Sequence, residues 1–302
     1  MYTSRNFKAI ALAVALSTFA SFAAAATAQF TTIDYPGAVR TYALGNNPAG
    51  DIVGSYVDLN NEGHAFLLRN GVFTSFDYPN ALWTDAYGIN PRGDIVGQYG
   101  WFDGVNYIVR GFLFRYGQFI PIDISGHQNT MPFKISPKGT IVGCIHDNDA
   151  FGYTNLDAMY GFDLSVKGAV DTTLARSMNT GINPDGDTVG YYFGTPTGTP
   201  LPRAGWSYAI REGVMSWFQY PNAFATLATD ISANGTIVGR YRLASPTTFH
   251  GFILFEGQFE SFDFPGAALT APMGVNANGE IVGYYAAVSG TQVSYHGFLL
   301  QR

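Results

Sequence analysis

The chain has 302 residues, with 16 Lys and Arg against 22 Asp and Glu and a net charge of −6. That acidic balance, without any clustered cationic run, excludes nucleic acid and anionic membrane surfaces as partners. A hydrophobic fraction of 47% suits one large core, and a single cysteine, Cys144, excludes an intramolecular disulfide.

Residues 1–28 read as a secretory signal peptide. Arg5 and Lys8 precede an apolar run from Ala9 to Ala26, and Ala26-Thr27-Ala28 supplies the small residues for cleavage near Gln29. The run is crowded with Ala and Ser and no second apolar span follows, so no membrane span is expected after cleavage. Loss of Arg5 and Lys8 leaves 14 basic against 22 acidic residues, a mature charge of −8. The expected location is the periplasm or the exterior of the cell, and residues 29–302 are expected to form one domain.

From Phe30 onward the chain repeats one pattern. Its second copy shows four short segments rich in β-branched and aromatic residues: a (Asp85 to Asn90), b (Asp94 to Tyr99), c (Arg110 to Arg115) and d (Phe119 to Ile124). The a-to-b link, Asn90-Pro91-Arg92-Gly93, sets φ with Pro and offers Gly for the left-handed position. The c-to-d link is a two-residue hairpin turn, clearest as Asn70-Gly71. The Gly that closes each Ile-Val-Gly or its variant falls at Gly54, Gly97, Gly143, Gly190, Gly239 and Gly283. Four strands per period at that spacing predict an all-β, six-bladed β-propeller with four antiparallel strands per blade.

The first strand, Phe30 to Tyr35, matches segment d with no a, b or c before it, and the last copy ends on segment c at His296 to Leu300. The N-terminal strand is therefore expected to complete the last blade and close the ring. Alternating strand direction puts the short a-b and c-d turns on one face. The longer inserts (57–63, 100–109, 146–159, 193–203, 242–249 and 286–295) then share the opposite face, where function is expected.

Three histidines occupy one column at the start of segment c, yet the hairpin register assigns each a carboxylate partner. His64 faces Asp77, His250 faces Asp263, His296 faces Asp34, and Arg110 in the same column faces Asp123. A pair recurring from copy to copy reads as a structural hydrogen bond rather than a metal or catalytic cluster. A Tyr at the end of strand b (Tyr56, Tyr99, Tyr192, Tyr241, Tyr285) is expected to join it. Near the axis, a Gly column in strand a (Gly45, Gly88, Gly181, Gly274) is broken by Lys134 and Asp230, which are expected to form a structural pair across the channel, with contact to a ligand there as the alternative.

Candidate ligand contacts on the long-insert face are Trp83, Trp101, Tyr107, Tyr153, Arg203 and Arg242, since aromatic faces with a few planar donors suit sugar rings. The run Asp147-Asn148-Asp149 with Gly152 is a weak Ca²⁺ candidate, because Phe151 and Ala158 stand where a calcium loop needs oxygen ligands. No other cofactor is implied. No Gly-x-Ser-x-Gly elbow, His-Glu-x-x-His or phosphate loop is present.

The repeated Gly-Ile-Asn-x-x-Gly-[Asp/Glu]-Ile-Val-Gly-x-Tyr, followed by His-Gly-Phe-Leu or His64-Ala65-Phe66, resembles the extracellular HAF-repeat family over the whole mature chain. Copies 1, 2, 5 and 6 carry it best; Tyr160 and Trp206 replace the His in copies 3 and 4. The resemblance implies an exported bacterial repeat protein and transfers no active site. The reading is a binding module for envelope or extracellular polysaccharide or a protein partner. An extracellular saccharide or ester lyase or hydrolase, and a structural surface protein, are the alternatives.

Overall fold

A computed structural model describes residues 28–147, 159–165, 168–195, 205–245 and 248–302, so the expected leader lies outside the described residues. The first repeat follows β1 (Gln29–Ile33) with β2 (Arg40–Asn46), β3 (Ile52–Val57), β4 (Gly63–Arg69) and β5 (Val72–Phe76). The second is β6 (Trp83–Ile89), β7 (Ile95–Phe102), β8 (Tyr107–Arg115) and β9 (Gln118–Ile122). The third and fourth are β10 (Asn129–Ile135), β11 (Ile141–His146), β12 (Met159–Ser165), β13 (Gly168–Ala175), β14 (Ser177–Ile182), β15 (Thr188–Tyr192), β16 (Trp206–Arg211) and β17 (Val214–Phe218). The chain ends through β18 (Ala225–Ile231), β19 (Ile237–Arg242), β20 (His250–Phe255), β21 (Gln258–Phe262), β22 (Leu269–Val275), β23 (Ile281–Ser289) and β24 (Gln292–Gln301).

The expectation of six separate four-stranded blades is corrected by the sheet topology. Four sheets have four strands each: β10 to β13, β14 to β17, β18 to β21, and β22-β23-β24-β1. The strands of the first two repeats instead share one eight-stranded sheet, in which β4 meets β6 in parallel at Gly63 and Trp83. The physical reason is the short first insert, which ends on a residue without a side chain. A Cβ on Gly63 would lie 3.1 Å from that of Trp83, and its absence lets the two backbones bond. Over the described residues the chain is an all-β propeller arrangement with four four-stranded blades and one composite sheet.

The first strand lies antiparallel to the last, from Gln29 opposite Gln301 to Ile33 opposite Gly297. Phe30 packs its ring 5.8 Å from that of Phe298 and 5.2 Å from that of Phe264. The expected inserts of the second and last repeats are strand extensions, since β7 and β8 pair out to Phe102 and Tyr107, and β23 and β24 out to Ser289 and Gln292.

The core lies between neighbouring sheets. Phe66, Phe112, Phe162, Tyr208, Phe252 and Phe298, one from the middle of each segment c, are fully buried. Their rings lie over the glycine of Ile-Val-Gly. A Cβ on Gly97 would come within 2.1 Å of the Asp85 carbonyl and 2.6 Å of the Phe112 ring, so the motif needs glycine for close backbone and ring approach.

The Asn of the a-to-b turn organises the opposite face. Asn47 Oδ1 accepts from the Ala49 and Asp51 amides at 3.0 Å each, and its Nδ2 donates to Asp51 at 2.9 Å and to the Asn90 carbonyl at 3.3 Å. Arg69 closes the group with two bonds to Asp51, at 2.9 and 2.8 Å. The Asn and Asp of the repeated motif are thus a turn clamp that also ties one repeat to the next.

Candidate functional site

Every inner strand with a described partner carries a bulge near its middle, between Ala43 and Gly45 in β2, Pro132 and Lys134 in β10, and Ala228 and Asp230 in β18. A bulge re-aims the residue beside it. It turns Lys134 and Asp230 into the axis, where Lys134 Nζ lies 3.4 Å from Asp230 Oδ2. Lys134 also donates to the Leu44 carbonyl at 2.8 Å and the Tyr87 carbonyl at 3.3 Å. Asp230 accepts from the amides of Ile231 at 2.9 Å and Val275 at 3.1 Å. Burial pushes the lysine down and the carboxyl up, and each partner opposes the other's shift.

Above this pair, towards the long-insert end, lies an axial cavity of about 350 Å³. Below it, among the a-b turns, is a smaller space of about 80 Å³ that Lys134 also lines. Aromatic rings make up much of the upper wall. Tyr42 stands edge-on to Tyr284 at 5.1 Å, and Tyr87 edge-on to Phe133 at 5.4 Å, with Tyr191 on another side. Burial raises the Tyr42 hydroxyl above its ordinary range, with Arg40 opposing and Tyr284 and Tyr295 adding to the shift.

The polar wall is sparse and ordered. The Thr180 and Thr229 hydroxyls donate to carbonyls of the next inner strand, Ala228 at 2.8 Å and Pro272 at 2.9 Å. Arg240 Nη1 donates to the Tyr284 hydroxyl at 2.9 Å, and its guanidinium sits 5.1 Å from the Phe249 ring centre. Asp85 lies opposite Gln98 in the ladder and lines the cavity with Ser55. Burial holds its carboxyl above the usual range, against hydrogen bonds from Ser55 and Gln98. Sequence reasoning passed over Asp85 and Arg240. The signal was Asp85 in the column Tyr42, Asp85, Met131, Met178, Leu227, Ala271, where it alone can ionise at neutral pH, and Arg240 in the variable place of Ile-Val-Gly-x-Tyr.

The His and Asp columns meet side by side. His64 Nδ1 lies 2.8 Å from Asp77, His250 Nδ1 2.8 Å from Asp263, His296 Nδ1 2.9 Å from Asp34, and Arg110 Nη1 2.9 Å from Asp123. The strand-b tyrosines take part through their rings, 5.0 Å from His64, 5.5 Å from His250 and 5.3 Å from His296. The hydroxyls of Tyr56, Tyr241 and Tyr285 instead meet Ser75, Ser261 and Thr32.

The proposed loop-face contacts are not gathered into one place. Trp83 packs beside Met131 and Cys144, its indole laid over Gly100, where a Cβ would come within 2.2 Å of Nε1. Trp101 and Tyr107 are exposed at the tip of the β7–β8 hairpin, and Arg242 lies 4.5 Å over the Phe224 ring. None of these four lines the axial cavity, while Tyr153 and Arg203 fall outside the described residues. Of the calcium candidates, Asp149 is also outside them, and Asp147 is engaged by His127 Nδ1 at 3.2 Å and the Gln128 amide at 3.1 Å. Among the described residues, Asp58, Glu62 and His64 bring potential ligand atoms within 4.8 Å of one another. Asp58 Oδ1 is already used by the amides of Asn60 and Glu62.

No helix among the described residues is long and apolar enough to cross a membrane. No family model matches the chain, and no curated protein matches it. Among solved structures it is similar to TolB from Acinetobacter baumannii, at 16% identity and a TM-score of 0.56, covering 84% of this chain. The chain spans 64% of the length of that TolB chain. It is also similar to the fucose-specific lectin from Aleuria aurantia, at 11% identity and a TM-score of 0.51 over 89% of this chain and 97% of the lectin. A lectin mutant from the same organism, in complex with Fucalpha1-6GlcNAc, gives 11% identity and a TM-score of 0.50 over 85% and 94%. At such identities the likeness establishes the propeller fold.

Proposed function

We propose that this chain is an exported, HAF-type propeller module that binds carbohydrate in its axial cavity. The observation that carries the reading is the cavity itself. It is concave, walled by tyrosines and phenylalanine, and fitted with a few ordered polar groups, Asp85, Ser55 and Arg240. Aromatic faces bury the apolar face of a sugar ring while fixed polar groups orient its hydroxyls. The likeness to a fucose-specific lectin supports the same reading. Export rests on the apolar leader with its Ala26-Thr27-Ala28 site, and N-terminal sequencing of the protein recovered from its host tests it.

Calorimetric titration with a panel of soluble oligosaccharides, run beside Met273→Trp, tests the assignment. Met273 lines the cavity, and an indole there fills the space. Binding by the wild type that disappears in a folded Met273→Trp variant is the expected result. Binding of unaltered affinity in that variant would place the site elsewhere.

A further inference from the structure

We infer that the axial cavity selects a glycan carrying a free amino group, seated with its ammonium on Asp85 between the rings of Tyr42 and Tyr87. The inference rests on the carbohydrate reading and makes it specific. Its basis is a mismatch between the cavity's acid and its bases. Among the described residues that line the cavity Asp85 is the carboxylate, and the groups hydrogen-bonded to it, Ser55 and Gln98, are both neutral. The two cations of the same wall are engaged elsewhere. Lys134 faces Asp230 and two backbone carbonyls, and Arg240 is held by the Tyr284 hydroxyl and the Phe249 ring. The upward shift of the Asp85 carboxyl comes from burial, with the hydrogen bonds of Ser55 and Gln98 opposing it.

Gln98, directly across the ladder from Asp85, stands behind the lining, 4% exposed, with its Nε2 given to the Tyr87 hydroxyl at 3.2 Å. The wall of the second repeat therefore presents a carboxyl whose side-chain partners are neutral. An ammonium has three donors, no acceptor and a positive charge. It matches that wall in a way that a hydroxyl, donor and acceptor at once, does not. Tyr42 and Tyr87 line the same cavity, and their rings add the attraction of a cation to aromatic faces.

The pair of probes that tests this differs in one group: a tetramer of β-1,4-linked glucosamine and its fully N-acetylated counterpart. Titration calorimetry on the full mature chain is expected to show the free-amine tetramer binding at least tenfold more tightly. In Asp85→Asn, and in Asp85→Ser should the first variant fold poorly, the ratio is expected to fall to about one. Equal affinities in the wild type, or a preference for the amine that survives both substitutions, would overturn the inference while leaving carbohydrate binding in place. Binding of neither tetramer nor any other panel sugar would remove both.

Discussion

The buried pair at the axis gives the sharpest test of how the sequence builds this fold. Lys134 and Asp230 are each about 7% exposed and stand where the other inner strands carry glycine. In Lys134→Met, Asp230 keeps the amides of Ile231 and Val275 but loses its cation. Removing one partner of a buried pair costs about 3–5 kcal/mol, whereas replacing both is often close to neutral. At roughly 2–4 °C per kcal/mol for a chain of this size, Lys134→Met should melt about 6–20 °C below the wild type. Lys134→Met with Asp230→Asn should recover most of that loss. The pH dependence has a definite sign. Burial already raises the Asp230 carboxyl, and loss of Lys134, which lowers it, raises it further. The native state of the variant therefore holds a proton that the unfolded chain releases above about pH 4. Its deficit is small below that pH and grows as pH rises through the raised native value. Urea titrations of the wild type, both single variants and the double variant at pH 4 and pH 7 measure all of this. A deficit under about 1 kcal/mol at pH 7, or a double variant as unstable as the sum of the singles, would show that the pair does not bridge the axis.

Other consequences are simpler to read. His250→Ala should lower stability by about 0.2–1 kcal/mol, since its bond to Asp263 is a partly exposed cross-strand pair, and should leave sugar titrations unchanged; selective loss of binding would make the column functional. Gly97→Ala places a methyl group against the fixed Asp85 carbonyl and the Phe112 ring, so a loss of about 3 kcal/mol or more in urea unfolding is expected, and a change within 0.5 kcal/mol would refute the packing account. Asp51 is held below the ordinary carboxylate range chiefly by the Arg69 hydrogen bond. Its stabilisation is complete above about pH 4 and is lost as pH falls through the depressed native value. Asp51→Asn should therefore be less stable than the wild type at pH 6, and the gap should close under acid in paired melting curves.

What the sequence makes legible follows from how each feature is written into it. Strands, turns and the four carboxylate pairs of the His64 column recur at fixed offsets, and hairpin register converts an offset into a contact. Lys134 and Asp230 were visible for the opposite reason, as exceptions in a column of glycines. The joining of the first two repeats was hidden, because it depends on one parallel pairing, Gly63 with Trp83, that no periodicity announces. The cavity was hidden in another way. Repetition marks what every copy must keep in order to pack, while a ligand site at a shared axis needs each chemical group once. Asp85 stands alone in a column of tyrosine and aliphatic residues, and Arg240 occupies the one free place inside Ile-Val-Gly-x-Tyr. In a repeat protein of this kind, the recurring histidines and tyrosines report on the scaffold, and the unrepeated charges facing the axis are where recognition should be sought. Trp101 and Tyr107 on the outer hairpin attract notice by size. Asp85, less conspicuous, sits in the concave wall where an ordered ligand could be held.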